Sequence, residues 1–241
     1  IKGALSFETF VHPEYQGKGL FSNLLSVAEK KAIENNVALL LNFPNANSLK
    51  GFQNNAWERI FVVEYWTKGK HPLVIPLHIK DIKHSFEPSP SNLDQLVKPV
   101  SFSYYPSGNL ESEITYDYLM WRFFTYPIAE YHYFESSEYD AIVRIGKRGK
   151  IKEAQVLFVN IKQSDNFGLK SLLKNLEHEI DYDLISFPIS RNNRLRVELV
   201  KNGFIKVPNS TNVCYKIIGE TFLTKAMVEK ISLSAINFHT Y

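Results

Sequence analysis

The sequence predicts an α/β fold with a mixed sheet, arranged as two similar units in tandem. Short strand-like runs alternate with amphipathic helices, which is the order that parallel strands and their crossover helices produce. A repeated order of apolar landmarks also indicates duplication. Three landmark pairs recur 144 to 149 residues apart: Gly19 and Gly168, Phe43 and Phe187, Trp57 and Phe204.

The first unit begins with a strand and a turn. Residues 7–11 are rich in aromatic and β-branched side chains and end before Pro13, which cannot continue a ladder. From Gly19 the apolar positions follow a helical period, with Glu29 on the opposite, solvated face. We then expect a buried strand over residues 37–43, a helix over 48–55 and a strand over 60–67.

A proline-rich stretch divides the chain. We expect the C-terminal part of one unit in residues 1–70, a connector with a short strand in 71–109, and a second, degenerate unit in 110–241. The elements before residue 156 in the second unit have no counterpart after Ile1. The first unit is therefore expected to lack its N-terminal strands.

The elements predicted for the second unit are a helix at 111–124, strands at 131–134, 139–145 and 156–159, a helix from Gly168, a strand at 184–188 and a helix at 195–200.

Composition excludes several classes of protein. The chain has 241 residues, 44% apolar and 22% charged, which is ordinary for a globular protein. The single cysteine, Cys214, cannot form an internal disulfide, which favours a cytoplasmic location and excludes a cysteine-built metal site. No apolar run approaches the roughly 20 residues of a membrane span. The net charge of +3 is too small to indicate a nucleic-acid partner.

The stretch from Val11 to Phe21 carries the most specific signal. It reads VHPEYQGKGLF, a strand that leads through a glycine-bearing turn into an amphipathic helix. The unpaired amides of a first helical turn and the positive end of the helix dipole favour an anion. Gly17 and Gly19 would let the backbone approach a phosphate, and Lys18 would add a charge at the rim. Two glycines alone are also typical of a turn that binds nothing.

At these residues the sequence resembles the GNAT superfamily of N-acetyltransferases. The hallmark of that family is Gln/Arg-x-x-Gly-x-Gly/Ala after a strand. Residues 16–21, QGKGLF, match the glutamine and the first glycine, whereas Phe21 replaces the final small residue. The resemblance covers residues 7–67 well and is closest to bacterial branches, some of which carry two GNAT-like units in tandem.

The resemblance implies acetyl-CoA, or another acyl-CoA, as co-substrate. The pyrophosphate would lie on the backbone of residues 16–21, and the pantetheine arm would pair with residues 9–11 like an added strand. Asn45 looks like an asparagine that often contacts the coenzyme in this family. The expected coenzyme contacts are Thr9, Phe10, Val11, Gln16, Gly17, Lys18, Gly19, Leu20, Phe21 and Asn45.

The catalytic groups are less clear than the coenzyme contacts. Phe52 stands where many family members carry a tyrosine that protonates the leaving thiolate, and a phenyl ring cannot donate a proton. Glu8 is a candidate base and equally an exposed strand carboxylate. His12 is better explained as a turn residue. Arg122 is either a buried charge with a structural partner or a contact for an anionic acceptor.

The resemblance therefore implies an N-acyltransferase that acts on a small amine, with an amino sugar as one candidate, and needs no metal. The second unit lacks the phosphate signature and would shape the acceptor side. Two alternatives remain at this point: a non-catalytic binding or regulatory module with a GNAT fold, and an aminoacyl transferase of the peptidoglycan-branching type. A homo-oligomer is compatible with all three.

Overall fold

The computed structural model describes residues 1–6, 9–71, 73–77, 80–81, 84–91, 98–106, 110–125, 128–162, 169–208 and 211–238. The chain forms two compact units. Unit 1 comprises Ile1–Val63 and Asn209–Lys230, and unit 2 comprises Glu64–Pro208 and Ile231–Tyr241. Each unit has its own sheet, so the α/β class with mixed sheets predicted from the sequence is confirmed.

Unit 1 contains a four-stranded sheet and two long helices. Its elements in chain order are β1 (Gly3–Ser6), α1 (Leu20–Glu34), β2 (Leu39–Asn42), α2 (Ala46–Asn54), β3 (Glu58–Val62) and, from the distant segment, a strand at Asn212–Ile217 and a short helix at Lys225–Val228. The distant strand lies between β2 and β3 and is antiparallel to both. β1 and β2 are parallel, as a helix crossover requires.

The first strand lies earlier than predicted. It spans Gly3–Ser6, residues 9–12 have no regular structure, and Phe7 and Glu8 fall outside the described residues. Residues 9–11 are aromatic or β-branched, yet they form no strand.

Helix α1 buries a narrow stripe. Leu25 is buried, whereas Leu24 is 50% exposed. The buried face of α1 is therefore narrower than the apolar face predicted from the sequence. Glu29, predicted to be solvated, turns inward instead. It accepts hydrogen bonds from Trp57 Nε1 (3.0 Å) and Lys216 Nζ (2.7 Å). Beneath α1 and α2 lies a small core of Leu25, Val37, Leu40, Phe52, Trp57, Cys214 and Ile218.

Unit 2 is larger and contains most of the core. Its elements are β4 (Glu64–Gly69), α3 (Val74–Leu77), β5 (Phe86–Pro88), α4 (Tyr116–Leu119) with a π-helical turn at Met120–Thr125, β6 (Tyr131–Glu135), β7 (Tyr139–Arg148), β8 (Ile151–Ile161), α5 (Leu169–Glu179), β9 (Leu184–Ile189), α6 (Leu195–Lys201), β10 (Ile205–Val207) and α8 (Ala235–Phe238). The unit 1 segments at Asn212–Ile217 and Lys225–Val228 are accordingly β11 and α7. The sheet order is β10-β4-β9-β8-β7-β5, with β6 also paired to β7.

Two predictions for the connector and its surroundings are wrong. Val74–Leu77 forms a helix where a short strand was expected. Regular helix begins at Tyr116 rather than at 111, because Thr115 caps the first turn by accepting a hydrogen bond from the Tyr118 amide (3.1 Å). The aromatic residues that follow are mainly core, including Phe123, Phe124 and Tyr131.

The two sheets share a local strand order. In unit 1 the order β2-β11-β3 places a strand from late in the chain between two earlier ones. In unit 2 the order β9-β4-β10 places an early strand at the same position, again antiparallel to both neighbours. The helices α1 and α2 of unit 1 thus have positional counterparts in α5 and α6 of unit 2.

Candidate functional site

A cleft opens in unit 1 where β1 and β2 separate. The described part of their parallel ladder reaches the pair Ser6 and Asn42, where Asn42 Nδ2 donates a hydrogen bond to the Ser6 carbonyl (2.7 Å). Beyond that point residues 9–12 form no ladder with β2. The backbone groups of an unpaired extended segment are available to a ligand that can add as a strand.

The loop before α1 is held in shape by its own residues. Pro13–Tyr15 forms a single 3₁₀ turn, and the Gln16 amide donates to the Pro13 carbonyl (3.2 Å). The Gln16 side chain reaches back and donates from Nε2 to the Val11 carbonyl (3.0 Å). This glutamine therefore ties the end of the loop to its beginning and fixes where the following amides lie.

Gly17 and Gly19 give the loop its sharp path into α1. Their φ angles are 76° and 73°, in the left-handed region that favours glycine. No heavy atom lies within 4 Å of the position that a Cβ would take at either residue. Gly19 is the N-cap of α1, so the amides of the first helical turn have no partner within the helix. Because protein atoms do not cover this turn, its partial positive charge is open to an anion.

The cleft has a volume of about 430 Å³. Every residue predicted from the sequence to contact the coenzyme lines it, except Lys18, whose Nζ lies 5.0 Å from the centre of the Tyr15 ring. The sequence analysis missed four lining residues. Ser48 and Gly51 follow Asn45 at spacings of three and six, which is a helical-face signal that could have identified them. The full lining is Thr9, Phe10, Val11, Tyr15, Gln16, Gly17, Gly19, Leu20, Phe21, Asn45, Asn47, Ser48 and Gly51.

Asn45 has a structural role in addition to its place in the cleft. It is the N-cap of α2, and its Oδ1 accepts hydrogen bonds from the amides of Asn47 and Ser48 (3.0 Å each). Only its amide Nδ2 is then suited to donate to a ligand.

Phe21 and Phe52 occupy the floor between α1 and α2. Their rings meet edge to face at a centroid distance of 5.2 Å, and Phe52 meets Trp57 in the same way at 5.0 Å. Phe52 is 2% exposed and does not line the cleft, whereas Phe21 does. A Cβ on Gly51 would lie 2.9 Å from Phe21 Cε1, so glycine makes room for this ring. The bulky residue at 21 thus covers the side chain at 52.

Of the two candidate acid–base residues, Glu8 and His12, the described residues include only His12. Glu8 lies outside the described residues. The exposed His12 pairs loosely with Glu14 through Nδ1 and Oε2 (4.0 Å), as a turn residue would. Burial raises the pKa of the Cys214 thiol to about 11, although Arg59 opposes the shift, so this cysteine is a packed core residue. Within the described residues, no group of three or more His, Cys, Asp or Glu side chains could hold a metal ion.

Unit 2 has a counterpart of this cleft that its own chain fills. The parallel ladder of β8 and β9 ends at Gln155 and Ser186. Past that end, Ser234 forms a bridge with Ile189, and Leu233 exchanges hydrogen bonds with Ser190 (2.9 Å each). A cavity of about 40 Å³ borders these residues. The loop expected to lack the phosphate signature, residues 163–168, lies outside the described residues.

The fold matches that of known acetyltransferases. A GCN5-related N-acetyltransferase from Anabaena variabilis ATCC 29413 superposes with a TM-score of 0.52 and 10% sequence identity, over 86% of this chain and 53% of that one. A GCN5-related N-acetyltransferase from Kribbella flavida gives a TM-score of 0.48 at 11% identity, over 89% and 52%.

The similarity to the Anabaena variabilis protein shows the fold and not the activity, because the sequence identity is low. The chain spans about half the length of the solved structures that it matches. No protein-family model and no curated protein matches the sequence. Among the described residues, no helix is long and apolar enough to cross a membrane.

Proposed function

We propose that the chain is an N-acyltransferase that binds acetyl-CoA, or another acyl-CoA, in the unit 1 cleft and transfers the acyl group to a small amine. One observation carries the proposal: the separation of β1 from β2 and the uncovered first turn of α1 border the same cavity. A ligand with an extended arm and a diphosphate matches this pair of features.

The cleft residues would bind and orient the coenzyme. Amides of the Gly17–Phe21 turn would donate to the diphosphate, while the backbone at 9–11 would pair with the pantetheine arm. The side-chain amide of Asn45 would add a donor on the opposite wall. These contacts fix the position of the reacting carbonyl, and positioning is a large share of catalysis in acyl transfer.

The departing group needs little help from the protein. A thioester supplies an acyl group whose leaving thiolate has an ordinary pKa of about 8.5, so it can depart without a strong acid. This suits a site in which Phe52 offers no proton. The amine must still lose a proton, and Glu8, which directly precedes the cleft residue Thr9, would be the acceptor.

Calorimetric titration with acetyl-CoA, followed by a thiol-release assay over a panel of amines that includes amino sugars, tests the proposal. We expect saturable binding and release of free coenzyme A with at least one class of amine. No binding of acetyl-CoA would contradict the proposal as a whole.

A non-catalytic binding module is the second candidate, and Phe52 is the observation that favours it. Its ring is buried against Phe21 and does not line the cleft, and it has no proton to donate to a leaving thiolate. Saturable coenzyme binding without thiol release over the whole amine panel would select this module over the enzyme.

A further inference from the structure

One face of the unit 2 sheet buries more positive than negative charge. Arg144 on β7 is 2% exposed, and Arg148 lies on the same strand. The fully buried carboxylate of Glu153, on β8, is the acid in this region. Removing charges from water is costly unless each one finds a partner, so this imbalance needs an explanation.

The carboxylate of Glu153 already has partners for both of its oxygens. Its Oε2 accepts a hydrogen bond from Arg148 Nε (2.7 Å). Its Oε1 accepts from Ser186 Oγ (2.5 Å) and from the Tyr65 hydroxyl. Arg148 and Glu153 therefore neutralise each other, and among the described residues no carboxylate forms an ion pair with Arg144.

Arg144 itself contacts only neutral groups. One terminal nitrogen donates to Gln155 Oε1 (2.6 Å), and the guanidinium lies over the Phe86 ring at 4.5 Å from its centre. Tyr131, the cross-strand partner of Arg144 on β6, is another neutral neighbour. Within the described part of the chain, Nε of Arg144 is buried and has no hydrogen-bond acceptor. A buried guanidinium N–H that lacks an acceptor is rare and indicates a missing group.

A second arginine approaches the same place from the π-helical turn. Arg122 lies in Met120–Thr125 and is partly exposed, and π-helical turns often occur at functional sites. Burial is the main cause that lowers the pKa of Arg144, and the positive charge of Arg122 lowers it further. The Arg122 guanidinium lies 5.5 Å from the centre of the Phe123 ring, Phe123 meets Tyr131 edge to face at 5.0 Å, and Tyr131 is the cross-strand partner of Arg144. Two guanidinium groups joined by such a row of neutral side chains are suited to share an anion.

We propose that Arg144 and Arg122 form a binding site for an oxyanion, a carboxylate or phosphate oxygen that accepts the hydrogen bond of Arg144 Nε. Arg148 and Glu153 are the internal pair that holds the neighbouring strands, and they are not part of the site. Because Arg122 is partly exposed, it would lie on the solvent side of the proposed oxyanion site. The site stands on unit 2 alone and does not depend on the function proposed for the unit 1 cleft.

Thermal unfolding of the full chain, titrated with inorganic phosphate or acetate at constant ionic strength, tests this site. A ligand that binds only the folded state raises the midpoint in a saturable way. We expect such a rise with at least one of the two anions, and the preferred anion distinguishes a phosphate from a carboxylate ligand. No saturable rise with either anion would overturn the proposal.

Three variants assign the effect. Arg144→Met should fold, since replacing an unpaired buried charge by an apolar residue is often neutral or stabilising, and it should lose the anion response. Arg122→Gln should weaken anion affinity at least tenfold. The control is Arg196→Gln, which removes a half-exposed guanidinium paired with Glu64 (3.1 Å) and should leave the response unchanged.

A response that survives in both Arg144→Met and Arg122→Gln would contradict the assignment. Should Arg144→Met fail to fold, the ¹⁵Nε resonance of Arg144 in the wild-type chain gives an independent result. It should shift and saturate with the preferred anion, and an unmoved resonance would contradict the site.

Discussion

The two clefts of this molecule each lie at the end of a parallel strand pair, and they differ in what occupies them. In unit 1 the described ladder of a parallel strand pair reaches Ser6 and Asn42, and residues 9–11 line a cavity of about 430 Å³. In unit 2 the corresponding pair ends at Gln155 and Ser186, and the cavity that the described residues form beside residues 231–237 has a volume of about 40 Å³. The chain itself takes the place in unit 2 that a ligand could take in unit 1.

The hydrogen bonds explain why the unit 2 cleft stays closed. Leu233 and Ser190 satisfy each other's polar groups, and Asn193 Nδ2 donates to the Leu233 carbonyl (3.1 Å). Leu233 is 1% exposed. The same kinds of backbone group in residues 9–11 line an open cavity. We propose that the units arose by duplication and that only unit 1 retained a coenzyme cleft.

The largest effect is expected from Leu233→Ala. Truncation of a fully buried leucine costs about 2–5 kcal/mol of unfolding free energy because it leaves a cavity. Denaturant unfolding should show this loss, while the affinity of unit 1 for acetyl-CoA stays unchanged. An unaltered free energy of unfolding would mean that residues 231–237 do not hold the unit 2 cleft closed.

Gly19→Ala should have the next largest effect, on coenzyme affinity. A Cβ there projects into open space and favours a different φ, which moves the amides that face the diphosphate. Hydrogen bonds to a charged group contribute about 1.5–3 kcal/mol each, so the loss of one lowers affinity roughly 10- to 100-fold in calorimetry.

Gly203→Ala is the matched control for that glycine. Gly203 has a φ of 76° and equally open surroundings, but it lies in unit 2. Both variants should lose about 1–3 kcal/mol of stability from backbone strain. Equal losses of coenzyme affinity in the two variants would exclude the unit 1 turn as the diphosphate site.

Phe52→Tyr should destabilise the chain without increasing turnover. The added hydroxyl would enter a core position that is 2% exposed, beneath Phe21, where a buried polar group without a partner costs about 1–3 kcal/mol. Thermal unfolding and the thiol-release rate measure the two effects. A faster release would show that residue 52 does reach the leaving group.

The smallest effects are expected from Asn45→Ala and Asn193→Ala, which compare the two clefts directly. Asn45 caps α2, and Asn193 accepts a hydrogen bond from the Leu195 amide (3.0 Å) at the start of α6. Each loss should cost about 1 kcal/mol of stability. Only Asn45→Ala should also weaken acetyl-CoA binding, and an equal effect of Asn193→Ala would remove the distinction between the clefts.

Much of this site could be predicted from the sequence because its signals are local. Gly17, Gly19 and the helical period that follows lie within a few residues of each other, and the turn chemistry of glycine identifies them. The position of β1 could not be read in this way, since residues 9–11 have strand propensity and leave the sheet nonetheless. Pairing partners, rather than propensity, decide where a strand ends.

Long-range features account for the other differences. Nothing local indicates that β4 joins the sheet of unit 2 while β11 joins that of unit 1. Glu29 has the sequence context of a surface residue, and only the distant Lys216 and Trp57 make its inward orientation favourable. The filling of the unit 2 cleft by residues 231–237 likewise depends on contacts across 40 residues or more, such as that between Ser190 and Leu233.

The most direct test of the account follows backbone amide resonances during a titration with coenzyme A. The account predicts that the amides of residues 16–21 shift most, that the shifts saturate at one equivalent per chain, and that Ser190 and Leu233 in unit 2 do not respond. Shifts confined to unit 2, or no saturable shift at residues 16–21, would contradict it.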